Sequence, residues 1–296
     1  MTRDTGSTVP RRQIGRVLRE LRTEARMTLD GVAAALRCSP GKMWRIEAGL
    51  GATRGIDVKA LCALYDAAPE LTAALLALAR ETGARGWWHS YDDDTASGRL
   101  AFEPYTGLES AASQIRRFGD SLIPDLLQTR SYALAICQRR STLPSERRSR
   151  LAEECLQRQS LLRRRLPRPP RVEVILAEAA LLRTVGDAAI MVEQLRHLLS
   201  VGETPNVSVR VLPLAAKLHR GAETGSFVIL DFPLANRTTP EPPVVYCQSW
   251  TGALYLDRPE EYAAYEEVWA DLDDLTVGEK ASRQLIDTII TEVQQR

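Results

Sequence analysis

The sequence predicts an α+β protein in two parts. An all-α N-terminal domain of five helices is followed by a mixed α+β domain, with a sheet of about five strands and flanking helices. Three observations predict this. Residues 14–81 carry apolar side chains at three- and four-residue spacing, interrupted by capping residues. From Arg171 the period changes to two, in RVEVIL and VSVRVL, and more strand-like runs follow. Between the halves, GARGWWHSYDDDTASGR sustains neither period. At 296 residues two domains are the prior expectation. The boundaries read as a flexible N-terminus over 1–12, a helical domain over 13–82, a linker over 83–104 and the α+β domain over 105–296.

Helix 1 is placed at Ile14 to Ala25, with Ile14, Leu18 and Leu21 on one face and arginines elsewhere. Thr28 is a helix N-cap, and Asp30 sits in the first turn where a negative charge suits the helix dipole. Val32, Ala33 and Leu36 form the inner face of that second helix, and small Ala33 admits a close neighbour. Arg37-Cys38 makes the turn. Ser39 caps helix 3, and Pro40 occupies the first helical position, where its missing N–H costs little. Met43 and Ile46 point inward. Pro40, Gly41, Lys42, Trp44 and Arg45 are left outside, and Gly49 stops the helix. Asp57 is read as the cap of helix 4 (VKALCALYDA), and Pro69 opens helix 5 (ELTAALLALARE).

Five helices in this order resemble the XRE-type helix-turn-helix domain of bacterial regulators, over roughly Gln13 to Glu81. The most specific piece is Arg45-Ile46-Glu47-x-Gly49 after the Ser39 cap. The resemblance implies a structural bridge between Glu47 and Arg22, because the glutamate of that motif usually pairs with an arginine of helix 1. It implies DNA contacts by Ser39, Pro40, Gly41, Lys42, Trp44, Arg45 and Arg54. In such an interface Arg45 suits a bidentate guanine contact, Trp44 either a thymine methyl or packing on the reader's own surface, and Ser39, Lys42 and Arg54 the phosphates. Two positions depart from the family: Leu29 stands where glutamine is common, and Arg37 where the turn often has glycine. Arg37 is tolerable only if it adopts the turn geometry, since positive φ is uncommon outside Gly, Asn and Asp.

Charge agrees with that expectation. The whole chain is nearly neutral at +1, but residues 1–56 carry 11 Lys/Arg against 5 Asp/Glu, and the remaining residues 28 against 33. The positive potential is gathered around the proposed reader, as nucleic-acid binding requires. Five scattered cysteines without a CxxC argue against a disulfide framework or a zinc finger, and Cys38 and Cys62 read as buried thiols. No signal peptide and no apolar run of about 20 residues is present, so a cytoplasmic, nucleoid-associated location is expected and no membrane partner.

In the second half, Tyr105 to Phe118 reads as a helix, SLIPDLLQT as an irregular entry, Ser131 to Arg140 and Pro144 to Arg165 as helices. Strands follow at 171–176, 207–212, 226–232, 244–248 and 253–256. Helices are placed at 178–183, 187–199, 259–272 and 279–294. This half looks like the C-terminal domain of unknown function in actinobacterial WhiJ-like regulators. The residues that carry the likeness are Gly107-Leu108-Glu109, Pro124, Leu126-Leu127-Gln128-Thr129, Tyr132-Ala133, Arg158-Gln159, Glu178-Ala179-Ala180, Gly186, Gln194-Leu195, Asn206-Val207, Val211-Leu212-Pro213 and Phe227. Family members usually have glycine where this chain has Asp125. If that glycine serves a positive-φ turn, Asp125 is a strained substitute. The resemblance implies a small protein partner encoded nearby; dimerisation is expected on a separate ground, because one helix-turn-helix reader covers few base pairs.

The chain is not expected to be an enzyme and no cofactor or metal is expected. GxSxG, HExxH, Walker and GxGxxG patterns are absent. His89, His197 and His219 read as ordinary linker, helix-edge and loop residues, and Glu178 as an acid at a helix N-terminus. Eleven arginines between Arg139 and Arg171 admit three readings: phosphate contact, docking of an acidic partner, or simple solvation. The sequence therefore points to a sequence-specific DNA-binding transcriptional regulator acting on a double-stranded operator as a homodimer. The alternative is an antitoxin-like protein whose main activity is to sequester a partner.

Overall fold

A computed structural model describes residues 8–50, 53–81, 87–90, 104–139, 144–234, 241–250 and 252–295. The chain divides into two compact units, Met1–Leu108 with Ser249–Arg258, and Glu109–Gln248 with Pro259–Arg296.

The first unit holds five helices: α1 (Val9–Glu24), α2 (Leu29–Ala35), α3 (Pro40–Glu47), α4 (Gly55–Leu64) and α5 (Pro69–Glu81). Ile14, Leu18, Val32, Met43, Val58, Leu61 and Leu75 are buried at its centre. The Thr28 and Ser39 hydroxyls cap α2 and α3, accepting from the backbone N–H of Gly31 at 3.1 Å and of Lys42 at 3.2 Å. Asp57 does not cap α4. That helix begins at Gly55 after Arg54, which places Asp57 in the first turn. Residues 9–12, read from the sequence as part of a flexible N-terminus, belong to α1; residues 1–7 lie outside the described residues. A two-stranded antiparallel ribbon, β1 (Trp87–Ser90) with β7 (Gly252–Leu256), also belongs to this unit. Thr8, just before α1, donates from its backbone N–H and hydroxyl to Asp257 at 2.6 and 2.5 Å. From the sequence alone Trp87–Ser90 reads as linker; it is instead a strand of this ribbon.

α1 to α4 all end the same way. Arg26, Arg37, Gly49 and Asp66 have φ of 54°, 50°, 66° and 54°. Each end is closed by a pair of backbone bonds of the Schellman type, such as Cys38 N–H to Ala33 O at 2.9 Å and Arg37 N–H to Ala34 O at 3.2 Å. Arg37 thus does adopt the left-handed geometry that its turn requires. A Cβ in that region costs roughly 1–2 kcal/mol, part of which glycine returns in backbone entropy. Arg37→Gly is expected to stabilise the first unit by about 0.5–1 kcal/mol. A denaturant midpoint unchanged or lowered in that variant would show that Arg37 carries no strain.

Gly15 and Gly49 set how closely α1 meets α3. A Cβ on Gly15 would lie 2.6 Å from the carbonyl oxygens of Ile46 and Glu47, and one on Gly49 would lie 2.8 Å from Arg12 Cα. Contact at backbone distance is possible only without side chains there.

The second unit is built on a five-stranded sheet. Its strands are β2 (Gln114–Gly119), β3 (Arg171–Ala177), β4 (Val207–Leu212), β5 (Phe227–Asp231) and β6 (Val244–Gln248), in the order β6-β5-β2-β3-β4. β2, β3 and β4 run parallel, and β5 and β6 add antiparallel on the other side. α6 (Pro104–Ala111) precedes β2. α7 (Arg130–Gln138) and α8 (Ser145–Arg158) connect β2 to β3. α9 (Glu178–Leu182) and α10 (Ala188–Val201) connect β3 to β4. Parallel neighbours require such crossovers. A one-turn helix, α11 (Gly221–Thr224), lies before β5. α12 (Pro259–Leu275) packs on β6, and α13 (Glu279–Gln295) packs on α10 and β4. The fold class is therefore α+β, as the sequence predicted. The C-terminal part of the expected helix over 105–118 is instead β2, a central strand.

β2 was hidden by its charges. Arg116 and Arg117 point to opposite faces of the sheet. Arg116 is buried, with Nη2 at 2.9 Å from Asp231, 2.5 Å from Glu266 and 3.1 Å from the Tyr262 hydroxyl, and its guanidinium lies 5.9 Å from the centre of the Trp269 ring. Burial opposes the Arg116 charge, but the Glu266 hydrogen bond and the Asp231 charge outweigh it and raise its pKa. Arg117 pairs with Asp125 at 2.5 Å.

Candidate nucleic-acid interface

α3 is eight residues long, and its spacing separates two faces. Met43, Ile46 and Glu47 are buried against the rest of the first unit. Ser39, Pro40, Gly41, Trp44 and Arg45 are exposed, Trp44 to 45%. Pro40 and Trp44, and Gly41 and Arg45, are four residues apart and so stand above one another on the outer face. Among the described residues Arg45 makes no ion pair, and its guanidinium keeps its full set of donors. Lys42 lies at the boundary between the faces.

The buried side of α3 is fixed by charge as well as by packing. Glu47 is 2% exposed and accepts from Arg22 at both oxygens, 2.6 Å to Nε and 3.0 Å to Nη2. Arg22 also donates to the Met27 carbonyl at 2.9 Å, and Arg19 reaches the Glu47 carbonyl at 3.4 Å. The hydrogen bond to Glu47 raises the Arg22 pKa against the effect of burial. Sequence alone would value this bridge as a surface pair, at about 1 kcal/mol or less. Its burial makes the loss of either partner far more costly.

Lys42 and Arg54 converge on one carboxylate. Asp57 takes Lys42 Nζ on Oδ1 at 2.8 Å and Arg54 Nε on Oδ2 at 3.1 Å. Burial works against the Asp57 charge, yet these two hydrogen bonds lower its pKa overall. The three side chains border a cleft of about 180 Å³ between α3 and α4, floored by Leu36, Met43, Ile46 and Leu61. Cys38, expected to be buried, is part-exposed at the edge of this cleft, whereas Cys62 is buried and burial raises its thiol pKa. Sequence reading missed Asp57 as part of this group. The available signal was its position three residues after Arg54, a distance at which side chains on a helix meet.

Two family models match the chain. One, described as a helix-turn-helix domain, covers residues 13–75. The other, a domain of unknown function, DUF5753, covers residues 102–288, well over half of the chain. The chain belongs to the DUF5753 family. No curated protein and no solved structure matches it. No helix among the described residues is long and apolar enough to cross a membrane.

Within the DUF5753 part, many of the residues that carry the sequence likeness form one part-buried polar framework. Arg158 holds Glu109 with Nε and Nη2, both at 2.8 Å, and Asp125 with Nη1 at 2.7 Å. Gln159 donates to the Gln128 carbonyl at 2.7 Å. Gln194 accepts from Thr129 N–H and donates to the Leu127 carbonyl, each at 2.7 Å. Gln128 in turn donates to the Ile123 carbonyl at 2.7 Å. These side chains pin residues 123–129 between β2 and α7, satisfying backbone groups that no regular element pairs. Asp125 is not strained, since its φ is not positive, and Arg117 and Arg158 hold its carboxyl well below the usual range despite burial. Arg158 has a structural role that none of the three readings of the arginine run had assigned.

Glu178 accepts from Leu214 N–H at 2.8 Å. His219 meets the Phe118 ring edge-on at 6.3 Å between centroids. His197 is half-buried, and burial, helped by the Arg163 charge, lowers its pKa. The side chain of His89 lies outside the described residues.

Proposed function

We propose that this chain is a sequence-specific DNA-binding transcriptional regulator of the XRE type. α3 enters the major groove, and the DUF5753 part assembles the protein as a homodimer and links it to a partner or ligand. The reading is non-enzymatic, and its location is with the nucleoid. The observation that carries it is the division of α3 into a fixed inner face and a free outer one. A recognition helix needs its donors unspent, and Arg45 has them. Arg45 suits a bidentate contact to guanine, Trp44 a thymine methyl, and Pro40 and Gly41 permit close approach of the helix start to the base edges. Ser39, Lys42 and Arg54 suit phosphates, which fix register without carrying sequence information. One such helix spans few base pairs, so two copies reading half-sites about one helical turn apart are expected.

Binding should be measured on duplexes selected by the protein from a random-sequence pool, over a range of salt. Arg45→Ala is expected to cost about 1–3 kcal/mol on the selected duplex and to relax preference at one base pair. Unchanged binding by Arg45→Ala, with preference relaxed instead by Lys42→Ala, would place the helix in a different orientation. A full-length protein that holds a stoichiometric small partner and has no salt-dependent DNA affinity would replace this reading with a sequestering function.

A further inference from the structure

We propose that Asp57 is a specificity-determining residue of the DNA reader, spacing the Lys42 ammonium and the Arg54 guanidinium into a two-cation seat for one DNA phosphate while offsetting part of their charge. This inference rests on the regulator reading above. Three observations carry it. First, the two cations come from different elements, α3 and the residue preceding α4, and the Asp57 carboxylate joins them, one oxygen to each. Second, exposure increases outward. The Asp57 side chain is 18% exposed, Lys42 36% and Arg54 71%. The acid is thus the least accessible of the three side chains, so a phosphate approaching from solvent finds the cations more accessible than the carboxylate. Third, the bonds to Asp57 leave donors free. Among the described residues Arg54 spends only Nε and keeps both terminal nitrogens, and Lys42 keeps two of its three N–H groups.

Asp57 is itself anchored. It lies in the first turn of α4, where the helix dipole favours an acid, and its backbone N–H bonds to the Arg54 carbonyl at 2.9 Å. Without the carboxylate, two like charges would separate, and each would find any phosphate within its reach. The group would then carry the charge of two cations rather than a net one. Affinity for DNA of any sequence should rise, and the demand for one backbone position should fall. Asp57 therefore trades affinity for discrimination, because an acid facing a polyanion weakens all complexes but weakens those out of register most.

The test uses the full chain with a random-sequence duplex and the pool-selected duplex. Asp57→Asn is expected to bind the random duplex about three- to tenfold more tightly near 0.1 M salt, with a log–log salt slope steeper by about one. Its affinity for the selected duplex should change less, so that the ratio of selected to random affinity falls. Asp57→Glu keeps the charge but displaces the seat. It should retain the original slope on random DNA and lose several-fold on the selected duplex. The inference is overturned if Asp57→Asn leaves random-duplex affinity and slope unchanged, or weakens both duplexes equally, as loss of a merely structural acid would. If the unsubstituted chain shows no salt-dependent DNA binding, the regulator reading fails, and this inference with it.

Discussion

Replacing Glu47 with alanine is expected to destabilise the N-terminal unit by about 3–5 kcal/mol, enough to melt a marginal domain. The effect would come from what is left behind. Arg22 is only 17% exposed and loses both of its carboxylate bonds, while the Met27 carbonyl alone cannot balance a guanidinium. Two hydrogen bonds between α1 and the end of α3 vanish at the place where Gly15 already brings the two backbones together. Calorimetry on the full chain would follow this as the loss or downward shift of one transition, with the second unit's transition unmoved. A substitution of both partners by apolar residues of similar size should recover much of the loss, because it removes the stranded charge. A melting profile unaltered in Glu47→Ala would show that the bridge contributes as little as a solvent-exposed pair.

Arg158→Ala should have an effect of similar size, about 3–5 kcal/mol, confined to the second unit. Glu109 is 1% exposed and would lose both bonds from Arg158, and Asp125 would keep Arg117 but lose its second cation. The pH dependence gives the loss a distinctive mark. Asp125 in the folded protein has a pKa depressed by Arg117 and Arg158, in opposition to burial. Its contribution is therefore fully present above the unfolded-state value near 4 and is lost as pH falls towards the lower folded-state value. Glu266, held down by Arg116 against the effect of burial, acts in the same direction. The unsubstituted second unit should thus lose stability on acidification below about pH 4, and Arg158→Ala should unfold at a higher pH than the parent. Circular dichroism during acid titration would measure both, and coincident acid transitions in parent and variant would contradict the account.

These two networks mark where sequence legibility ends. α3 was readable because every local signal agreed: a Ser-Pro start, Met43 and Ile46 at inner positions, and a glycine stop. β3, β4 and β6 were readable because apolar side chains dominate their buried positions. β2 was not, because its two arginines face opposite sides of a central strand. The acids that make this tolerable lie 8, 115 and 150 residues away. Asp57 was misread for a related reason: a local cap rule accounted for it, while its bond to Lys42 spans 15 residues. In each case the sequence displays a charge, and the partner that gives the charge its purpose is distant in the chain. The exposed face of α3 escapes this difficulty, since the role proposed for it asks for no partner within the protein.

Dimethyl sulfate probing of the protein on its selected duplex tests that face most directly, because the reagent marks guanine N7 in the major groove and adenine N3 in the minor groove. The account predicts protection of guanine N7 at positions repeated about one helical turn apart, with one protected guanine per half-site released in Arg45→Ala. Protection restricted to adenine N3, or guanine protection that Arg45→Ala leaves intact, would contradict it.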